Sequence, residues 1–138
     1  MPLPPLQHWT WQGEEGIFAV GYRQQSCEGT GAPVLLVHGF GASSDHWRAN
    51  IAPLAEQQPV WALDLLGFGS SDKPRSRLVD EPQGPGSVRY CFDLWAQQVA
   101  DFACQVVQPQ KPLQLVGNSI GGIVALRAAQ LLSERGQA

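Results

Sequence analysis

Val34-Leu35-Leu36-Val37 is a run of four apolar residues with no polar residue alternating among them, and the second expected strand, Val60-Trp61-Ala62-Leu63-Asp64, opens with another such run. Successive side chains of a strand point to opposite faces, so such a run needs cover on both sides, which is the condition of a strand inside a parallel sheet. Leu113-Gln114-Leu115-Val116-Gly117 reads as a third strand of the same sheet. Parallel neighbours cannot be joined by a tight turn, so helical crossovers must lie between them.

The segments between the strands supply those helices. Ser43 or Ser44 can cap a helix holding Trp47 and Ile51, with Pro53 kinking or restarting it before Leu54. Phe92, Trp95, Val99, Phe102 and Val106 recur at spacings of three and four, which lines one side of a second helix. Ile120, Ile123, Val124, Ala128, Leu131 and Leu132 repeat that spacing, and Gly136 is placed to end the third. Ahead of them, His8 to Gln12 and Ile17 to Arg23 flank Gly13-Glu14-Glu15-Gly16, which predicts an antiparallel hairpin with a four-residue turn. Residues 67–88, rich in Gly, Pro, Ser and Asp, read as a long surface loop. The fold class is therefore α/β: an antiparallel hairpin followed by a parallel, doubly wound sheet, in a single domain over residues 1–138.

Charge narrows the partners. Nine Lys and Arg against twelve Asp and Glu give a net charge of -3, which supplies no basic surface for nucleic acid or anionic lipid. The apolar runs are too short to span a bilayer, and Met1-Pro2-Leu3-Pro4-Pro5 lacks a basic, then apolar, leader pattern, so a cytoplasmic protein is expected. Cys27, Cys91 and Cys104 are widely spaced with no Cys-x-x-Cys pair, so reduced thiols are expected, with neither a disulfide framework nor a metal site. No cofactor-binding pattern is present either: Gly121-Gly122 comes too late for a dinucleotide fingerprint, and the chain has no Gly-Lys-Ser or Gly-Lys-Thr.

The chemistry is concentrated at Gly117-Asn118-Ser119-Ile120-Gly121, a Gly-x-Ser-x-Gly pattern where an apolar strand meets an amphipathic helix. A turn this tight forces the serine into an unfavourable backbone conformation, and Gly117 and Gly121 let neighbouring segments pass close by. Ser119 would then stand clear of the sheet at a helix N-terminus, where unpaired N–H groups favour developing negative charge. A second constellation, His38-Gly39-Phe40-Gly41, follows the first parallel strand directly. Gly39 and Gly41 let that loop fold so that the Phe40 N–H, with the Ile120 N–H, can form an oxyanion hole. His38 is expected to brace this loop rather than act as a base. Phe40, Trp47 and Phe68 either line a substrate pocket or belong to the core.

With the stretch Asp64-Leu65-Leu66-Gly67-Phe68-Gly69-Ser70-Ser71-Asp72-Lys73-Pro74 between them, these two blocks resemble the N-terminal half of the α/β-hydrolase family. Ala42-Ser43-Ser44-Asp45-His46-Trp47-Arg48 and the Asn-Ser elbow are most similar to the pheophytinase-like serine hydrolases of cyanobacteria and plastids. The resemblance implies Ser119 as nucleophile, backbone amides of Phe40 and Ile120 as oxyanion donors, and a small hydrophobic ester or acyl substrate. Asp72 would pin the Gly67 and Gly69 turn by capping it. Two alternatives stand beside the esterase reading: hydrolysis of a carbon-carbon bond next to a ketone, and a non-catalytic module that binds a hydrophobic molecule or complements a second polypeptide.

In that family the triad runs serine, acid, histidine, and the nineteen residues after Ser119 contain neither histidine nor aspartate. Glu134 would lie about 22 Å along the helix axis from the elbow at 1.5 Å per residue. A chain of this length is thus expected to stop before the family's sixth strand and to be nearly inert alone. It would also leave Leu113 to Val116 as an unpaired edge open to self-association.

Overall fold

The computed structural model describes residues 3–136; Met1 and Pro2, at the start of the segment read above for a leader, and the last two residues lie outside it. Among the described residues seven strands occur, β1 (Gln7–Gly13), β2 (Gly16–Gln25), β3 (Val34–Val37), β4 (Val60–Leu63), β5 (Arg75–Ser76), β6 (Ser87–Val88) and β7 (Gln114–Gly117). The helices are α1 (Ile51–Leu54), α2 (Phe92–Phe102) and α3 (Ile120–Glu134), with a 3-10 turn at Ser44–Trp47.

Five strands form the main sheet in the order β1-β2-β4-β3-β7. β1, β2 and β4 pair antiparallel, and β3 pairs parallel with both β4 and β7. The hairpin is tighter than expected, because Gly13 and Gly16 are themselves paired and only Glu14 and Glu15 remain as the turn. Among the described residues β7 has a single neighbour, with Val116 42 % exposed on it and Leu126 76 % exposed on α3 nearby.

Burial follows the alternation of the strands. Val34, Leu36, Val60 and Ala62 point to one face and pack with Trp47 and Ile51. Leu35, Val37, Trp61 and Leu63 point to the other, where α2, α3 and the hairpin's Trp11 and Phe18 complete the larger core. Both faces of β3 and β4 are therefore covered, as their unbroken apolar runs require.

The helical stretches differ from expectation in detail. The segment after Ser43 divides into the 3-10 turn and the single turn of α1, with the Ser43 hydroxyl accepting from the Asp45 N–H. α2 is capped by the Cys91 thiol, and beyond Phe102 it widens into a π-helical turn, Ala103–Val107, that ends with Gln108 in the left-handed region. Residues 67–88 are not all surface loop: Ser87 and Val88 are buried and pair with Arg75 and Ser76. Asp101 of α2 accepts from the Trp11 indole N–H at 2.8 Å and pairs with Arg135 at 2.8 Å, tying β1 to the end of α3.

Candidate active site

The elbow forms where β7 hands over to α3. Ser119 has φ 58° and ψ -128°, a conformation that side chains other than hydrogen avoid, and its residue is exposed. Close packing holds it there. A Cβ at Gly117 would come within 2.2 Å of the Gly121 carbonyl oxygen, and one at Gly121 within 2.3 Å of the Val37 carbonyl oxygen. Neither position accepts any side chain, so β7, α3 and the end of β3 are locked against one another.

The His38-Gly39-Phe40-Gly41 loop lies directly against this elbow. A Cβ at Gly39 would sit 3.1 Å from the Ser119 Cβ and 3.0 Å from the Asn118 carbonyl oxygen. Among the described residues, the Phe40 and Ile120 N–H groups have no backbone acceptor, whereas the Gly121 and Gly122 amides are bonded back to Asn118 and Ser119. Gly41 takes φ 75° and turns the loop outward, leaving Phe40 75 % exposed.

His38 is fully buried and both ring nitrogens are engaged. Nε2 accepts from the Leu65 N–H at 3.0 Å, which leaves Nδ1 as the donor to the Gly39 carbonyl at 2.8 Å. Burial holds its pKa below the ordinary histidine value, with the Gly39 hydrogen bond and the Asp64 charge pulling the other way. The ring ties the His38–Gly41 loop to the segment after β4.

Of the three aromatic candidates, the structure brings two together. Phe40 and Phe68 meet edge to face at 5.4 Å. Trp47 is instead packed under the 3-10 turn and α1, 7 % exposed, so it is a core residue on the opposite face and forms no wall here. Asp72 also departs from expectation. Its carboxylate accepts from the Ala19 N–H at 2.8 Å, and its own N–H donates to the Ala19 carbonyl, so it fastens the turn to β2 instead of capping it.

The carboxylate that organises the turn is Asp64, almost wholly buried, which accepts from the Ser44 N–H at 2.6 Å, the Ser70 N–H at 3.0 Å and the Ser70 hydroxyl at 2.7 Å. Gly69 is required beside it, since a Cβ there would fall 2.5 Å from the carboxyl carbon. Gln98, also buried, accepts from the Leu66 N–H and donates to the Asp64 carbonyl. Neither had been singled out in the sequence. A signal for Gln98 exists, because it occupies the apolar stripe of α2, three residues after Trp95 and four before Phe102. On the solvent side, His46 Nε2 lies 3.4 Å from the Asn118 side-chain nitrogen.

The model of the α/β-hydrolase fold family matches residues 32–136, which include the His38–Gly41 loop, the Asp64 turn and the Ser119 elbow. The chain belongs to the α/β-hydrolase family. Among its relatives, this α/β-hydrolase chain is 31 % identical over 139 residues to the chloroplastic pheophytinase of Arabidopsis thaliana, covering 86 % of the chain and 28 % of that protein. It is 34 % identical over 109 residues to 2-hydroxy-6-oxo-6-(2'-aminophenyl)hexa-2,4-dienoic acid hydrolase of Metapseudomonas resinovorans, covering 77 % and 33 % respectively. A thermophilic esterase from Thermogutta terrifontis superposes with a TM-score of 0.71 at 26 % identity, over 90 % of this chain and 40 % of that one. The chain thus spans a third or less of the length of these two curated relatives. No helix among the described residues is long and apolar enough to cross a membrane.

Proposed function

We propose that this α/β-hydrolase chain carries the nucleophile and oxyanion hole of a serine hydrolase acting on a small hydrophobic ester or related acyl substrate. The observation that supports it best is the exposed Ser119 at positive φ with the Gly39 backbone packed against it. In this reading the Ser119 hydroxyl attacks the substrate carbonyl, and the oxygen that gains charge is met by the free N–H groups of Phe40 and Ile120. Losing one such donor typically costs about 3 kcal/mol of transition-state stabilisation.

The attack needs a base, because a serine hydroxyl is almost fully protonated at neutral pH. His38 is engaged on both nitrogens, and we assign the base and its acid partner to no residue of this chain. Turnover by these residues alone is expected to fall on the order of a millionfold below that of a complete triad.

Prolonged exposure to a fluorophosphonate at high concentration, followed by mass spectrometric mapping, tests the assignment. Slow modification at Ser119 ahead of every other serine, lost in Ser119→Ala, is expected. Modification spread over the surface serines without preference would refute it. Rapid labelling would instead place a base within the chain.

The similarity to a carbon-carbon bond hydrolase favours a second reading, cleavage beside a ketone. Product analysis with a vinylogous diketone against an ester separates the two. The free edge of β7 supports self-association or complementation by another polypeptide, and a cooperative monomer in size-exclusion chromatography would argue against self-association.

A further inference from the structure

Among the described residues, five large apolar side chains are more than two-thirds exposed: Ile17 (68 %), Phe40 (75 %), Leu78 (69 %), Val79 (84 %) and Leu126 (76 %). Leu126 stands apart on α3. The other four lie toward the end of the sheet that carries Ser119. Phe40 follows the C-terminal end of β3, Leu78 and Val79 belong to the loop that leaves the C-terminal end of β4, and Ser119 follows that of β7, the three strands being parallel. Ile17 reaches the same side because Tyr22 of β2 is level with Leu63, the last residue of β4. It lies five residues further out, about 17 Å at 3.4 Å per residue.

Ion pairs and hydrogen bonds join the hairpin turn and the loop into one arm. Arg77 pairs with Glu15 at 2.7 Å, the Glu15 carboxylate accepts from the Arg89 N–H at 3.3 Å, and the Gln83 side chain donates to the Glu14 carbonyl at 3.4 Å. The tip is held as firmly. The Glu81 carboxylate accepts from the Leu78 N–H at 3.1 Å and from the Arg75 guanidinium at 2.9 Å, and the Glu81 N–H donates to the Leu78 carbonyl at 3.0 Å. A braced turn thus presents Leu78 and Val79 to solvent.

Size and charge decide what such a tip meets. Single exposed aliphatic residues are ordinary on a protein surface, but two adjacent ones on a braced turn, with Ile17 on the hairpin fastened to it, form a patch. That patch is far smaller than the roughly 800 Å² that a stable protein interface needs on each side. Insertion into a lipid surface needs no matching partner face, and its strength follows apolar area plus any charge attraction. Between Arg75 and Glu81 two arginines are balanced by Asp80 and Glu81, so the tip has no net charge to attract anionic lipid. The surface that fits it is zwitterionic.

We propose that this arm docks on a zwitterionic lipid surface through Leu78, Val79 and Ile17, with the end of the sheet that carries Ser119 and Phe40 turned toward the lipid. The docking names the place from which a hydrophobic acyl substrate would be drawn, and it rests on the hydrolase reading for that meaning alone. Attachment itself does not depend on catalysis.

Flotation of the 138-residue chain with vesicles of phosphatidylcholine, alone or mixed with phosphatidylserine, tests the docking. The parent is expected to float with phosphatidylcholine alone, and to the same extent at low and high salt. Leu78→Asp combined with Val79→Asp is expected to lower the partition coefficient by about 10-fold or more, with an unchanged melting temperature because both positions are exposed. Leu126→Asp, at a similarly exposed position away from the arm, should float as the parent does. No flotation of the parent, flotation only with phosphatidylserine, an undiminished double variant, or an equal loss in Leu126→Asp would overturn the proposal. Ser119→Ala should float like the parent, so failed fluorophosphonate labelling with intact flotation sinks the hydrolase reading alone, and labelling without flotation sinks this one alone.

Discussion

Gly39 stands so close to Ser119 that a single added methyl would lie 3.1 Å from the serine Cβ. That separation is tighter than side chains normally tolerate, and on its other side the Asn118 carbonyl, part of the backbone, cannot yield cheaply. Gly39→Ala is expected to cost about 1–3 kcal/mol of stability through overpacking. If the proposed roles hold, it should also slow fluorophosphonate modification of Ser119 by more than the loss of stability explains, because the Phe40 N–H is pushed away from the serine.

Ser119 itself stores strain. Replacement by alanine keeps the Cβ that makes φ 58° unfavourable, whereas glycine removes it. Ser119→Gly is therefore expected to be about 1 kcal/mol more stable than Ser119→Ala in chemical denaturation. Equal stabilities would mean that the elbow is relaxed.

His38 should make stability depend on pH. Its folded pKa is lowered by burial, so the unfolded chain binds the proton more readily and stability rises with pH in that window. The contribution is present above about pH 6.5, the unfolded value, and is lost as pH falls through the folded one. Asp64 and His46 are the titratable groups felt by the ring. Melting temperatures between pH 7.5 and 5 should fall in the parent, with a flatter slope in His38→Gln, whose side-chain oxygen can still accept from Leu65.

Removing the Asp64 carboxylate leaves the buried Ser44 N–H and the Ser70 N–H without their acceptor. Each stranded donor costs about 1–3 kcal/mol, so Asp64→Ala should lose about 3 kcal/mol or more in urea unfolding. Asp72→Ala, which frees only the exposed Ala19 contact, should lose clearly less.

The parts of this structure legible in the sequence were those enforced by periodicity or by a missing side chain. Unbroken apolar runs required β3 and β4 to be covered twice, and Gly117, Ser119 and Gly121 predicted a bend that only glycine neighbours allow. Trp47 was ambiguous for a physical reason: a large aromatic ring serves a pocket or a core equally well until the face it points to is known. Asp72 and Asp64 show the same limit for carboxylates, since both occur in one turn and only the fold decides which is buried within it and which reaches across to β2. The β5 and β6 pairing rests on two residues each, too short for any pattern to announce.

Asp101 joins the indole of Trp11 to the guanidinium of Arg135. One acid on a middle helix thereby acts as a buckle between the earliest and latest parts of the described chain. Fraying of the amino-terminal hairpin would unfasten the far end of the helix that begins at Ser119, so amide exchange in these two distant segments should rise together.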